Sequence, residues 1–531
     1  MAEFFQTEPL QHSPYQDTDL LFFYLKQRLP QAYFDWVHRE LVHLSDRAVG
    51  EMAALALEAE RDVPRHIPFD PWGRRVDEIR VSPAWNRLGA IAAEEGVVAE
   101  AYERRFGEWS RLVQMAKLLI YHPYSAIFSC PLAMTDGAAR LIEVHGDDTL
   151  RERVFPHLVT RHADQFWTSG QWMTERIGGS DVGQSETRAV WDGSTWRLYG
   201  TKWFSSATTS EIAFTLARPE GAAEGSKGLS LFFVQLRNGE GQLDGIEVLR
   251  LKDKLGTRAL PTAELKLNGV PAKLVGGEGK GVARIATLFN ITRIYNAICA
   301  VGYMREALAV SQAYSRVRFA FGKPISEHPL HQRTLVNMEA ATTLCFFLSM
   351  ELAIWQGREA CGLASESQQK LLRVLTPVAK LFTAKQCVQV VSEGLECLGG
   401  TGYIEDSGLP RLLRNAQVLP IWEGTTNILS LDMVRALIKD QAWPDLREFL
   451  SDPALKTRYP YGERLLDQME SWVNQVGQQP ELEAEARHFA LLLGQWAGTM
   501  LMEQFVAEGG VVPNLDLIRD QLSRWPWRYS D

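Results

Sequence analysis

The stretch LPIWEGTTNIL, residues 419–429, sets one ionisable residue, Glu423, between the bulky pair Ile421–Trp422 and the run Gly-Thr-Thr-Asn. Desolvation against apolar neighbours makes a carboxylate's charge costly. Two readings account for it. Glu423 is an exposed turn residue, or it is a carboxylate whose proton affinity is raised by apolar walls and which acts as a general base. What the flanking sequence builds around it bears on the choice.

Upstream of it, after GGEGKG (276–281), three long runs carry apolar residues three or four apart: VARIATLFNITRIYNAICAVGYMREALAVSQAYSRVRF, TLVNMEAATTLCFFLSMELAIWQ and LLRVLTPVAKLFTAKQCVQVVSEGLECL. Pro377 in the third is expected to kink or offset a helix. Residues 166–275 have another texture. TWRLYGTKWFSS, EIAFTLARP, LSLFFVQL, GIEVLRL and TAELKLNGV are short β-rich runs bounded by Gly, Asp and Ser, as in a small antiparallel sandwich or barrel. Residues 1–165 read as helices joined by an ordered Pro- and Gly-interrupted connection, HIPFDPWGRRVDEIRVSPAW. Past residue 436 comes a further helical stretch. The expectation is an α+β multidomain protein: an N-terminal helical domain (1–165), a central antiparallel β-domain (166–275), a C-terminal helical bundle (276–435) and a helical extension (436–531).

A chain of 531 residues, 46% hydrophobic and 23% charged, is an ordinary globular protein too long for one core. A formal net charge of −9 argues against bulk affinity for nucleic acid or anionic lipid. Six cysteines without C-x-x-C or zinc-like spacing read as free thiols in a reducing compartment. No signal-peptide pattern is visible at the start, and no uninterrupted apolar segment of bilayer length is found, so the expected location is the cytoplasm. No metal site is expected.

Four further segments carry candidate chemistry. In MTERIGGSDVGQSETRA (173–189), Gly-Gly-Ser-Asp is a turn, or a loop whose backbone N–H groups meet a ligand beside the Thr174 and Ser180 hydroxyls. In KWFSSA (202–207), Trp203 is core, or the wall of a flat ring. Arg318 in RFAFGKPI (318–325) is a helix-terminal cation or a phosphate partner. The glycines of CLGGTGY (397–403) form a helix cap or a phosphate cradle.

Taken together and in this order, MTERIGGSD, GTKWFSS, RFAFGKPI, LGGTGY and IWEGTTNIL resemble the acyl-CoA dehydrogenase flavoprotein family over about residues 165–435. Within it the AidB-like branch is closest, through PWGRRVDEIRVSPAW, LKDKLGTRA (251–259), Trp422 and the helical C-terminus. The resemblance implies a helical, then β, then four-helix fold with FAD as cofactor. It implies that Glu423 removes the α-proton of an acyl-CoA while a hydride leaves the β-carbon for flavin N5, giving trans-2-enoyl-CoA and reduced FAD. By the same resemblance, Met173, Thr174, Ser180, Trp203, Phe204, Ser205 and Ser206 hold the flavin ring and phosphates. Arg318, Phe321, Gly399, Gly400 and Gly402 reach FAD across a subunit boundary, which implies a homotetramer, and Thr425 and Asn427 meet the adenosine and phosphate side. Arg293 and Gly424 are substrate-side residues, and an electron-transfer flavoprotein is the expected acceptor. Glu396 and Pro329 depart from the pattern, standing where many members place a glutamine that helps hold FAD.

Two other functions compete with dehydrogenation: an AidB-like stress-response flavoprotein that binds DNA, and a fatty-acyl-CoA binding protein without turnover. DNA binding needs a basic surface. Residues 432–531 hold 16 Asp+Glu against 10 Lys+Arg, a balance of 10 − 16 = −6 that disfavours it.

Overall fold

Helices α1 (Leu20–Arg28) and α2 (Gln31–Arg47) come first, followed by a hairpin of β1 (Arg65–Phe69) and β2 (Arg75–Arg80). Then come α3 (Ser110–Tyr121) and α4 (Ser129–His145). Seven strands follow: β3 (Ser169–Trp172), β4 (Arg188–Trp191), β5 (Trp196–Ser206), β6 (Ile212–Pro219), β7 (Ser230–Gln235), β8 (Ile246–Leu251) and β9 (Thr262–Leu274). The long helix α5 (Gly281–Val317) leads through a small hairpin, β10 (Phe319–Ala320) and β11 (Lys323–Pro324), into α6 (Pro329–Ala360) and α7 (Glu366–Cys397). Helices α8 (Thr426–Ile438) and α9 (Ala486–Ala507) are the further elements the site depends on, with the helix Pro460–Val476 between them and Leu515–Arg524 after them. This computed structural model describes residues 13–452, 455 and 458–524. The leader reading rests partly on residues 1–12, outside the described residues.

The helix–strand–helix order expected from the sequence is the observed one, with four differences. The connection at 65–80 is itself a two-stranded hairpin inside the helical N-terminal part. The sheet, expected to be antiparallel, is mixed: β6 pairs in parallel with both β3 and β4. Helix α7 continues through Pro377 as one element. By length and hydropathy α5 and α6 are each able to cross a bilayer, contrary to expectation, but 72% and 94% of their apolar windows are buried within the protein. Their hydrophobicity serves packing.

By proximity the described residues form two units whose limits differ from the four expected segments. One unit takes the described residues of Met1–Val49, Arg104–Pro123 and Arg293–Asp531; the other takes Gly50–Glu103 and Tyr124–Thr292. In the second, the sheet runs β3-β6-β4-β5-β9-β7, with β8 on β9. Alternation along the strands feeds two cores. Ile212, Phe214 and Leu216 of β6, with Leu231 and Phe233 of β7, pack with Leu141 and Ile142 of α4 and Leu288 of α5. Their neighbours Ala213, Ala217, Phe232 and Val234 turn to the other face with Val248, Leu265 and Leu267.

In the first unit, α6, α7, α8 and α9 pack on one another. Close approach is set by glycine. A Cβ at Gly494 would lie 2.6 Å from Phe382 Cβ, and one at Gly498 would lie 2.7 Å from the Leu344 carbonyl oxygen. Helix α9 is therefore seated against α6 and α7 at a separation only small residues permit.

Candidate functional site

Residues 417–424 form the turn between the helix Leu409–Ala416 and α8. It is held from two helices. Asn296 Nδ2 of α5 donates to the Leu419 carbonyl at 3.3 Å, and Lys380 Nζ of α7 donates to the Gly424 carbonyl at 2.7 Å. Between these anchors Glu423 adopts φ +58° and Gly424 φ +99°. A non-glycine residue in the left-handed region costs on the order of 1–3 kcal/mol, which the anchored surroundings must supply. Glu423 is half-buried, so it is neither a freely solvated turn residue nor sealed in the core. One expectation is corrected. Ile421 is 61% exposed and does not wall the carboxylate, whereas Trp422 is partly buried.

The neighbour that sequence reading missed is cationic. Lys380 has no solvent exposure. Burial pulls its amine down to about 7, with Glu423 working against that shift and Arg293 adding to it. Arg293, expected on the acyl-CoA side, is committed to Asp432 of α8 at 2.7 Å. Asp432 also takes Arg373 at 2.8 Å, and Arg373 reaches Asp440 at 3.0 Å. Burial raises the proton affinity of Asp432, but its two arginines outweigh that and hold it below its usual value. A lone lysine inside the apolar run LTPVAKLF was the signal available for Lys380.

In the sheet-bearing unit the segments 173–180 and 202–206 come together. Trp203 N donates to the Thr174 carbonyl at 2.9 Å, and Met173 is buried. Beneath them Lys202 and Glu175 form a buried pair. A Cβ at Gly179 would lie 2.5 Å from Thr174 Oγ1, so glycine there lets the loop fold onto Thr174, while Ser180 stays exposed. The pairing of β5 with β9 slips between Lys202 and Ser205, placing Trp203 and Phe204 in a bulge, a device that re-aims side chains. Phe204 is 56% exposed. Ser205 Oγ is buried without a hydrogen-bond partner among the described residues, and Ser206 Oγ lies 3.0 Å from Thr262 Oγ1. Lys252, which lies in the LKDKLGTRA stretch but is not among the expected site residues, sits 3.8 Å from the Trp203 ring centre and 4.6 Å from that of Phe204.

The remaining candidates lie in the first unit. Phe321 and Gly322 are the two-residue tip of the β10–β11 hairpin, with φ +51° and +84°, and Phe321 is 98% exposed. Arg318, at the hairpin's base, is exposed. At the end of α7, Gly399 has φ +58° and Gly400 faces open space. Gly402 is there for packing, since a Cβ would lie 2.0 Å from the Leu395 carbonyl oxygen. Glu396 is exposed, and Pro329 is the exposed first residue of α6. Thr425 precedes α8 as its N-cap without a side-chain cap bond, and Asn427 Oδ1 accepts from Arg487 at 3.2 Å.

Comparison with known proteins agrees with this architecture. The acyl-CoA dehydrogenase C-terminal domain matches residues 279–438, the middle domain of the same family matches 170–270, and the N-terminal domain of the adaptive response protein AidB matches 6–165. The chain is 46% identical to acyl-CoA dehydrogenase family member 11 of Caenorhabditis elegans, over 81% of this chain and 72% of that protein. It is 32% identical to the AidB protein of Escherichia coli, over 84% and 81%. The crystal structure of Caenorhabditis elegans ACDH-11 in complex with C11-CoA superposes with a TM-score of 0.93 at 39% identity, covering 99% of this chain and 93% of that one. Motif order, fold and these likenesses converge: the chain belongs to the acyl-CoA dehydrogenase flavoprotein family, in its AidB-like branch.

Proposed function

We propose that the protein is an FAD-dependent acyl-CoA dehydrogenase in which Glu423 takes the α-proton of a bound acyl thioester, leading to the trans-2-enoyl-CoA. The observation that carries this is the backbone of Glu423: a carboxylate in a left-handed conformation, on a turn tethered to α5 and α7. Strain of that kind persists where surroundings over-determine it, and it concentrates at working sites. The complex of the Caenorhabditis elegans relative with C11-CoA supports acyl-CoA as the ligand class. Gly424, next to the base and without a side chain, and Arg293 within the same charge network are the proposed substrate-side residues.

FAD is the family's cofactor, and the residues here fit it. Ser205 offers a buried hydroxyl with no partner among the described residues, beside the Trp203–Phe204 bulge, while Gly399 and Gly400 leave open backbone. Met173, Thr174, Ser180, Trp203, Phe204, Ser205 and Ser206 are the proposed cofactor contacts of the sheet-bearing unit, and Thr425 and Asn427 are proposed cofactor contacts on α8 and its N-cap. When bound, FAD supplies the acceptor for the hydride that leaves the substrate β-carbon. The role of Glu423 is to hold the α-proton at its carboxylate, and that of its turn is to keep the carboxylate aimed. A homotetramer, in which Arg318, Phe321 and the 399–402 turn reach a neighbour's cofactor, is the proposed assembly; the 98% exposed Phe321 at a strained tip supports it. An electron-transfer flavoprotein is the proposed acceptor. A cytoplasmic location is proposed as well, in keeping with six free thiols.

The test is anaerobic addition of a panel of acyl-CoAs to the purified holoprotein. Flavin bleaching is expected with the native chain and none with Glu423→Gln carrying a full complement of FAD. A colourless native protein that refuses FAD, or bleaching in Glu423→Gln at the native rate, overturns the reading.

A further inference from the structure

The buried amine beside the proposed base has no part in the chemistry described so far. Lys380 lies in an apolar stretch of α7 between Ala379 and Leu381, both buried, and is itself fully withdrawn from solvent. A lysine in such a place is held by specific partners or loses its charge. Its hydrogen bond goes to the carbonyl of Gly424, the residue after Glu423, at 2.7 Å. That contact pins the C-terminal side of the left-handed Glu423–Gly424 pair, as Asn296 pins the turn at Leu419.

We infer that Lys380 is a positioning residue for Glu423: it fixes the turn that aims the carboxylate and supplies a cation that keeps the carboxylate ionised. The inference rests on the reading of Glu423 as the base. Two consequences separate it from plain core packing. An ammonium close to a carboxylate favours the ionised carboxylate, so the base stays competent at lower pH than it would alone. After Glu423 accepts a proton, the lysine loses its counter-charge and gives up its own proton more readily, which couples the two groups.

The charged groups around Lys380 come from several elements. Glu423 faces it from the turn and Arg293 from α5, the first favouring the ammonium and the second opposing it. Arg293 is offset by Asp432 of α8, which also binds Arg373 of α7, itself paired with Asp440. With burial included, the balance leaves the amine poised at about 7, where modest changes in its surroundings alter its charge.

The experiment compares holoprotein variants Lys380→Met and Lys380→Arg with the native chain. Lys380→Met should keep FAD, slow substrate-dependent bleaching by about tenfold or more, and move the acid limb of its pH profile upward by about one unit. Lys380→Arg, whose charge does not titrate, should retain the low acid limb. A second readout needs no turnover: 13C-ε-lysine NMR should show Lys380 titrating near neutrality, and Glu423→Gln should shift that titration to lower pH. Should Lys380→Met fail to fold, Lys380→Arg and the NMR titration decide. A native pH limb in Lys380→Met, an upward-shifted limb in Lys380→Arg, or a lysine titration unmoved by Glu423→Gln overturns the assignment. If Glu423→Gln bleaches normally, the base reading fails instead, whatever the lysine does.

Discussion

Lys202 and Glu175 bury opposite charges against each other: Nζ lies 2.7 Å from Oε1, and neither side chain exceeds 2% exposure. Glu175 also accepts from Thr187 Oγ1 and from the backbone N–H groups of Glu186 and Thr187, while Lys202 donates to the Leu216 carbonyl. The pair ties the 173–180 loop to β5. Breaking one half leaves a buried charge uncompensated, so Lys202→Met should destabilise by about 3–5 kcal/mol, whereas the double replacement Lys202→Met/Glu175→Gln, whose neutral amide oxygen still accepts from these donors, should recover part of that. Chemical denaturation curves of the three proteins check it.

The same pair sets a pH dependence. Burial raises the proton affinity of Glu175, but Lys202 and the hydrogen-bond donors outweigh it and hold the group below its usual value. A depressed folded-state value contributes stability above the unfolded carboxyl's pKa, about 4.3, and loses it as pH falls through the folded one. Native protein should therefore lose stability more steeply in acid than the double variant, as read by thermal unfolding across acidic buffers.

Gly402 and Gly400 are neighbours with opposite sensitivities. Gly402→Ala forces a methyl within 2.0 Å of a backbone carbonyl and should cost about 2 kcal/mol or more, with loosening of the 399–402 turn. Gly400→Ala meets nothing within 4 Å and should leave folding within about 0.5 kcal/mol while lowering FAD retention. Thermal midpoints beside flavin content per chain distinguish the two effects.

Phe321→Gly relieves an aromatic residue of its left-handed backbone but adds freedom to the unfolded chain, so net stability should move by no more than about 1 kcal/mol. FAD retention should fall all the same, because the exposed ring is lost. Unchanged flavin content would remove Phe321 from the cofactor's contacts.

Asp432→Asn strips Arg293 and Arg373 of their shared carboxylate. A loss of about 2–4 kcal/mol is expected, since both cations are partly buried. With Arg293 less neutralised, the Lys380 amine should fall further below its ordinary range. Denaturation and the lysine NMR titration measure the two effects separately.

Local pattern carried much of this architecture. The alternation in IAFTLARP and LSLFFVQL is the alternation that fills the two cores of the sheet, and the long periodic runs after residue 281 are the helices observed. Glu423 stood out because it is an ionisable group in an apolar setting. What stayed hidden depends on partners distant in the chain. The parallel contact of β3 with β6 joins segments separated by two intervening strands, which no short window reports. The hairpin at 65–80 was obscured by Pro68 and Gly73, residues that punctuate helices; Pro68 sits at the register shift between Ile67 and Phe69 and Gly73 in the turn, where a strand pair tolerates them. Lys380 is hidden for the same reason as the β3–β6 contact, because its tie to Gly424 spans 44 positions of sequence.

Helix α9 has a practical consequence for anyone shortening the chain. The match to the family's C-terminal domain stops at Ile438, yet Trp496, Ala497 and Met500 beyond it are buried, and Gly494 and Gly498 nestle against Phe382 and Leu344. A polypeptide trimmed at that border would bare a wide greasy flank on α6 and α7, the second of which carries Lys380. Such a fragment should clump rather than fold. The smallest piece worth expressing therefore runs through the final helices.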